Sequence, residues 1–123
     1  MIRAWLVIAA IGGLLSVAAG AIAAHFPAGE RPAALLRTGA VYGMVHAAAL
    51  IAVAAIAEPR NRIEHLLIVS GWSFAAGTLL FSCSLFGLAL TEIEPLGLVT
   101  PFGGAGLLIG WAALGLYALR RRV

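Results

Sequence analysis

Charged residues are scarce in this sequence. Lys and Arg together number 8, Asp and Glu together number 5, and charged residues make up 11% of the 123 residues, against 63% hydrophobic residues. With a mean hydropathy of +1.05, the chain carries more apolar surface than one small soluble core could bury. These values exclude an ordinary soluble domain and predict a protein embedded in a membrane.

The sequence has a single cysteine, Cys83, so the chain cannot form an intrachain disulfide or perform cysteine-pair redox chemistry alone. It also lacks a basic groove interleaved with aromatic residues, which argues against nucleic acid as a partner. Its arginines stand at the ends of apolar stretches, where they favour contact with anionic lipid headgroups. We therefore expect membrane lipid as a partner, with another membrane protein or further copies of this chain as candidate protein partners, and no cofactor.

Long neutral stretches separate the charged clusters, and there are four of them. Each can hold the roughly 20 residues that cross ~30 Å of hydrocarbon at ~1.5 Å per residue. The prolines fall in the connections or in the first turn of a helix, where a missing amide hydrogen costs little. The sequence predicts an all-α fold, an integral membrane four-helix bundle that forms one transmembrane domain over residues 1–123. We expect its helices at about residues 4–24, 34–57, 64–90 and 100–119.

The first apolar stretch also resembles a secretory signal. Arg3 precedes it, and Ala21-Ile22-Ala23 has the small residues of a cleavage site. However, the apolar run is longer than the core of a typical signal. We therefore predict that this segment is retained as a membrane helix.

Arginine placement predicts the orientation in the membrane. With four crossings, the two termini and the loop near residue 60 share one side, which collects six arginines against two on the other. Because Lys and Arg resist translocation, the arginine-rich side is expected in the cytoplasm. Both termini would then be cytoplasmic, in a multi-pass protein of the inner (plasma) membrane. Trp5 and Tyr117 are expected near the inner interface, where such rings are favoured.

Small residues recur at helical spacing in three of the expected helices. In lipid, close approach through small residues supplies the dispersion contact between helices that the hydrophobic effect cannot. These stripes predict a compact bundle, although they fit contacts within one chain and contacts between copies equally well. They consist of Ala9, Gly13, Ser16 and Gly20 in the first helix, Gly71, Ala75, Thr78 and Ser82 in the third, and Gly106 and Gly110 in the fourth.

Thr38, Tyr42 and His46 follow one another at four-residue spacing, which predicts one shared face of the second helix. Polar groups are costly in hydrocarbon, so we expect this face to look inward, with His46 close to mid-membrane. One interpretation is a neutral imidazole hydrogen-bonded to a hydroxyl or carbonyl of a neighbouring helix. The other is a proton-relay or ligand residue, a role for which imidazole is suited.

A second group of polar residues is expected toward the non-cytoplasmic face. His25 ends the first helix, where it can cap carbonyls or lie among headgroups. Ser82, Ser84 and Thr100 are expected at a similar depth and could share a site with it. Serine hydroxyls in membrane helices usually bond to the carbonyl four residues earlier, which favours a structural role. Because no histidine and acid occur together within the expected spans to activate a serine, we predict no catalytic residue and no enzyme.

The segment from Thr100 to Gly104 is predicted to form the start of the fourth helix. Thr100 is a plausible N-cap, Pro101 suits the first turn, and the glycines permit close backbone approach. Alternatively, the free amides of this helix end could hold an anionic group such as a lipid phosphate. Glu92 and Glu94, just before it, are interpreted as part of a solvated loop.

The order of these motifs resembles that of one family, the small membrane proteins of domain of unknown function 423, which include bacterial members and the eukaryotic transmembrane protein 256 group. The matching residues are Gly20-Ala21-Ile22-Ala23-Ala24-His25, Tyr42 with His46, Gly77 through Leu85, Thr100 through Gly104, and Gly110-Trp111. The sequence departs from the family pattern at Ile22-Ala23, Cys83 and Phe86, where phenylalanine-glycine, glycine and tyrosine are usual. The resemblance implies a multi-helix inner-membrane protein without an assigned activity, with His25, Tyr42, His46 and the Thr100 turn as motif positions.

Three functions fit these patterns. The leading hypothesis is a non-enzymatic protein that works by helix packing, either as an accessory subunit of a larger membrane complex or as a lipid-contacting scaffold. The second is a small oligomeric transporter or channel in which His46 lines a proton or solute path. The third is a redox protein with haem ligated by His25 and His46. The expected depths of the two histidines, one at an interface and one near the midplane, argue against the third, so no cofactor or metal is predicted.

Overall fold

The computed structural model describes residues 1–25 and 29–121. These residues form four long helices and one short one: α1 (Ile2–His25), α2 (Glu30–Ala57), α3 (His65–Thr91), a 3-10 helix (Glu94–Leu98) and α4 (Thr100–Arg120). Four helical segments are long and apolar enough to cross a membrane. The predicted all-α, four-helix membrane fold is confirmed.

The helix boundaries lie close to the predicted ones except at the start of α2. This helix begins at Glu30, four residues before the predicted boundary. Pro32 does not prevent this, because in the first turn its missing amide hydrogen has no intrahelical partner to lose. The 3-10 helix before α4, with Pro95 near its start, was not predicted. Pro27 lies outside the described residues.

Consecutive helices run antiparallel. A Cβ atom added to Gly13 would lie 3.9 Å from Ala47, and one added to Gly20 would lie 3.7 Å from Ala40, so later positions of α1 meet earlier positions of α2. Contacts of the same kind relate α2 to α3 and α3 to α4. Both ends of the described chain therefore lie at the same end of the bundle. That this end faces the cytoplasm stays a prediction from the arginines.

The pair α2 and α3 forms the centre of the bundle, with α1 packed mainly on α2 and α4 mainly on α3. Helices α3 and α4 approach closely through glycines. A Cβ at Gly77 would lie 2.8 Å from a backbone nitrogen of α4, and one at Gly103 would overlap the backbone of Phe81. The predicted pair Gly106 and Gly110 also faces α3. The small-residue stripe of α4 is thus used within this chain.

Trp5 and Tyr117 lie in the core near the termini, with 0% and 3% of their surfaces exposed. Both residues lie near the terminal end of the bundle, but their rings pack inside it and do not face lipid; that this end lies at the inner interface stays a prediction. Gly71 provides the space for Trp5, since a Cβ there would overlap the indole ring. The Arg60 guanidinium lies 5.7 Å from the centroid of the Tyr117 ring and donates a hydrogen bond to the Ile56 carbonyl. A cation–π contact between Arg60 and Tyr117 thus covers this end of the core.

Arg31 and Glu94 form an exposed ion pair at the opposite end of the bundle. The Arg31 guanidinium donates to both carboxylate oxygens of Glu94, at 2.9 and 3.3 Å. The pair joins the first turn of α2 to the 3-10 helix. Glu94 is solvated as the sequence indicates, but it also has a defined partner.

Candidate functional site

His46 lies near the middle of α2 and is buried, with 5% of its surface exposed. Its Nδ1 lies 2.7 Å from the backbone oxygen of Tyr42, and its Nε2 lies 3.0 Å from Nε1 of Trp111 on α4. A carbonyl can only accept a hydrogen bond, and an indole N–H can only donate one. The imidazole therefore carries its proton on Nδ1. This N–H donates a hydrogen bond to the Tyr42 carbonyl, and Nε2 accepts a hydrogen bond from the indole N–H of Trp111. The neutral ring uses both of its nitrogens.

Four aromatic rings accompany His46, and we call the group the aromatic cluster (Tyr42, His46, Phe74, Phe81 and Trp111). The Tyr42 ring stacks on the imidazole at 6.0 Å between centroids, and Trp111 meets it edge-on at 5.9 Å. Phe74 lies 5.7 Å from the imidazole and 5.0 Å from Trp111, while Phe81 lies 4.7 Å from Tyr42. Such pairs contribute about 0.5–1.5 kcal/mol beyond simple burial. The cluster joins α2, α3 and α4.

Gly110 brings α4 close enough to complete the cluster. A Cβ at this position would lie 2.5 Å from the Phe74 ring, so a larger residue would push α4 away from α3. The buried Ser70 hydroxyl donates to the Gly110 carbonyl at 2.9 Å, which fixes the same turn of α4. Trp111, the next residue, is thereby directed at His46. A glycine and a serine thus position the indole.

Only part of the predicted inward face of α2 points inward. His46 is buried, but Tyr42 is 45% exposed and Thr38 is exposed. The reason is helical geometry: four residues exceed one turn of 3.6 residues, so positions at this spacing drift around the helix. The contact face of α2 instead follows the small residues Gly39 and Gly43, which are buried. The three polar residues therefore turn gradually around α2, from the exposed Thr38 and Tyr42 to the buried His46.

Trp111 was not among the predicted site residues. The neighbouring-helix partner of His46 is this indole, whereas we expected a hydroxyl or a carbonyl. The sequence did contain a signal for this role of Trp111. Tryptophan favours the membrane interfaces, whereas Trp111 lies near the middle of a span. An indole N–H at that depth needs an acceptor, and a neutral imidazole at the same depth supplies one.

Ser84 and Thr100 are brought together, with 2.6 Å between their hydroxyl oxygens. The Ser84 hydroxyl donates to the Phe81 carbonyl at 2.9 Å, so its single proton is used and Thr100 is the donor within the pair. Thr100 is not the N-cap of α4, because it is the first helical residue and Val99 holds the cap position. Among the described residues, no side chain caps this end of the helix. The threonine hydroxyl joins α4 to α3 instead.

The Ser82 hydroxyl donates to the Gly39 carbonyl of α2 at 2.8 Å. The expected bond to the carbonyl four residues earlier is therefore wrong for Ser82. The missing side chains of Gly39 and Gly43 bring the α2 backbone within reach, and a Cβ at Gly43 would overlap the Ser16 hydroxyl. A single junction of small residues thus joins α1, α2 and α3.

His25 does not join the serines in one hydrogen-bonded site. It is exposed, and its Nδ1 lies 3.2 Å from the Ala21 carbonyl one turn earlier, as expected for a residue that caps carbonyls. Ser82 and Ser84 have the partners given above. Among the described residues, no group of three His, Cys, Asp or Glu side chains could hold a metal ion.

Two grooves open on the sides of the bundle. The α1–α3 groove has a volume of about 360 Å³ and is lined by residues between Ile8 and Ser16 and between Trp72 and Phe86. A shallower groove of about 430 Å³ lies between α3 and α4. Tyr42, His46 and Trp111 line neither of them.

Comparison with known proteins identifies the relatives of this chain. The model of the family described as Protein of unknown function (DUF423) matches residues 19–104. The UPF0382 membrane protein YwdK of Bacillus subtilis is 36% identical over 121 residues, covering 96% of this chain and 98% of the relative. The UPF0382 inner membrane protein YgdD of Escherichia coli K12 is also 36% identical, covering 96% and 91%. A UPF0382 membrane protein of Haemophilus influenzae is 39% identical and covers 89% of each chain.

No solved structure matches the chain. The relatives nevertheless place it as a multi-pass protein of the inner membrane, in agreement with its four apolar helices. The family model covers the motifs from Gly20 to Gly104 and ends before Trp111. From the matched residues and the near full-length relatives, the chain belongs to the DUF423 family of uncharacterised membrane proteins.

Proposed function

We propose that the protein is a non-enzymatic accessory subunit of a membrane assembly, and that it packs the exposed part of its aromatic cluster against a helix of another membrane protein. The carrying observation is the exposure of two large aromatic rings near the middle of their helices. Tyr42 is 45% exposed and Trp111 is 46% exposed, although each lies near the middle of its helix. Tyrosine and tryptophan ordinarily favour the membrane interfaces, so rings shown at this depth favour a protein neighbour.

The Tyr42 hydroxyl favours a protein neighbour over lipid tails. Within the described residues this hydroxyl makes no hydrogen bond, and hydrocarbon offers none. A helix with a backbone carbonyl or a polar side chain at this depth would satisfy it. This distinguishes an accessory subunit from a scaffold that contacts only lipid.

The geometry of His46 supports a packing role over a proton or solute path. Its two nitrogens are engaged by Tyr42 and Trp111. A second proton, on Nε2, would place two donors against each other. The ring therefore acts as a spacer that sets the position of Trp111, and the serine hydroxyls of α3 likewise serve contacts between helices.

The proposal is tested by photocrosslinking in native membranes. Benzoylphenylalanine replaces Tyr42, Trp111 or, as a matched control, Trp72, which is 42% exposed but lines the α1–α3 groove. We expect discrete protein adducts from positions 42 and 111 and none from position 72. Adducts to lipid alone at all three positions would favour the scaffold, and an adduct only to a second copy of this 12.6 kDa chain would show self-assembly instead.

A further inference from the structure

The α1–α3 groove runs along two parallel helices. Trp5 of α1 contacts Gly71 of α3, and farther along Ser16 of α1 and Ser82 of α3 both contact Gly43 of α2. Residues eleven positions apart on α1 thus lie beside residues eleven positions apart on α3, as in a parallel pair. The α3 wall of the groove extends from residue 72 to residue 86, ~21 Å at ~1.5 Å per residue, and the α1 wall from residue 8 to residue 16, ~12 Å. The longer wall spans about two thirds of the ~30 Å hydrocarbon layer.

Small residues create this groove, and large apolar residues border it. Gly12, Ser16 and Ala76 leave the space between the helices open. Leu15 and Leu79, which also line it, are 48% and 62% exposed. The groove is thus open along its side, and an occupant can enter from the bilayer.

The size of the groove determines what can occupy it. At the floor of the groove Ser16 and Ser82 both approach Gly43, so α1 and α3 lie close together there. A helix with side chains is ~10–12 Å wide and does not fit between them. A linear hydrocarbon chain can fit, and its methylene groups match the apolar walls.

We propose that the α1–α3 groove is a binding site for one hydrocarbon chain of a membrane lipid, which lies parallel to the helices. A chain in the groove contacts two helices at once, whereas a chain on a convex helix surface contacts one. Because dispersion contacts add up, the bound chain is retained longer than lipids elsewhere on the surface. This site is separate from the proposed docking surface, which lies on α2 and α4.

The test uses a plug variant with a matched control. Gly12 lines the groove, whereas Gly115 lies on α4 outside it, and a Cβ added to either meets nothing within 4 Å. Wild type, Gly12→Leu and Gly115→Leu are reconstituted in vesicles of phosphatidylethanolamine and phosphatidylglycerol that contain phosphatidylethanolamine with a diazirine in one acyl chain. After illumination, mass spectrometry locates the labelled residues.

We expect labels concentrated on the groove residues of wild type, lowered on the order of tenfold by Gly12→Leu and unchanged by Gly115→Leu. Labels spread evenly over the lipid-facing residues would overturn the proposal, as would equal groove labelling in both variants. Ala76→Leu is a second plug from the α3 side, to be used if Gly12→Leu loses its helical circular dichroism or its single gel-filtration peak.

Thr78 distinguishes a plain hydrocarbon chain from a ligand with a polar group. Thr78 lines the groove near the middle of α3, and its hydroxyl is buried and has no hydrogen-bond partner within the described residues. A lipid held by its chain does not need this hydroxyl, so Thr78→Val should leave groove labelling unchanged. Loss of labelling in Thr78→Val would mean that the occupant bears a polar group at mid-membrane and would overturn the hydrocarbon-chain proposal.

Discussion

Helices α1 and α4 are attached to the central pair in different ways. Helix α4 meets α3 with its backbone at Gly103 and is held by side-chain hydrogen bonds from Ser70, Trp111 and Thr100. Helix α1 also has close glycine contacts, Ser16 at Gly43 and Trp5 at Gly71, but they involve only its side chains. Within the described residues no side-chain hydrogen bond joins α1 to another helix, and α1 leaves a groove against α3. In lipid, where apolar burial gives little preference for any one neighbour, close backbone contacts and hydrogen bonds fix the position of a helix. The α1 side is therefore the more adaptable one.

The largest effect is expected at the contact between α3 and α4. Gly103→Ala would place a Cβ against the Phe81 backbone, which cannot rotate away, so the helices must separate at a cost of about 3 kcal/mol in the free energy of unfolding. Unfolding by SDS in mixed micelles, followed by circular dichroism, measures the loss.

Two alanine substitutions serve as controls for Gly103→Ala. Gly115→Ala meets open space, and Gly13→Ala makes only an ordinary contact with Ala47. Both should be neutral or stabilising by up to ~1 kcal/mol, because alanine favours a helix over glycine. If Gly13→Ala cost as much as Gly103→Ala, the contrast between the two sides of the bundle would be wrong.

The next effect is expected in the aromatic cluster. Trp111→Phe keeps a ring but removes the N–H, which leaves Nε2 of His46 without its donor and costs about 1–2 kcal/mol of unfolding free energy. Trp72→Phe is the matched control, since that ring is also about half exposed and makes no hydrogen bond within the described residues. Equal losses in the two variants would mean that lost ring surface, and not the bond to His46, is responsible.

A smaller effect is expected from the pair of hydroxyls that joins α3 to α4. In a double-mutant cycle of Ser84→Ala and Thr100→Val, the coupling energy should be about 0.6 kcal/mol and no more than ~1.7 kcal/mol, as for other hydrogen bonds between membrane helices. Thr38→Val, on the exposed side of α2, should leave stability unchanged. A coupling near zero would show that the short contact between the hydroxyls adds nothing to the packing of α4.

The membrane helices could be predicted from the sequence because one large energy, the cost of unpaired backbone polar groups in lipid, determines where they form. A neutral apolar stretch of more than 20 residues must satisfy its backbone internally in lipid, and charged residues mark its ends. These two features locate the four spans. They do not locate the start of α2, because Pro32 has the same allowed conformation in a loop and in a first turn.

The rotation of each helix could not be predicted in the same way. The small-residue stripes showed that contacts would be close, but not which helix each stripe would meet. As a result, the exposed positions of Thr38 and Tyr42 and the contact between Ser82 and Gly39 appear only in the structure. His46 was found because a titratable side chain in a span is conspicuous, whereas its partner Trp111 resembled an ordinary apolar residue.

The smallest effect is expected from the ion pair at the end of the bundle. Arg31 and Glu94 are bonded at 2.9 Å, but their side chains are 61% and 68% exposed, so water and salt weaken the attraction. Arg31→Gln and Glu94→Gln should each unfold at the same SDS fraction as wild type, at low and at high salt. A loss of stability that disappears in high salt would show that this charge pair helps to hold the 3-10 helix before α4 against α2. The difference between α1 and α4 would then depend on charge as well as on helix packing.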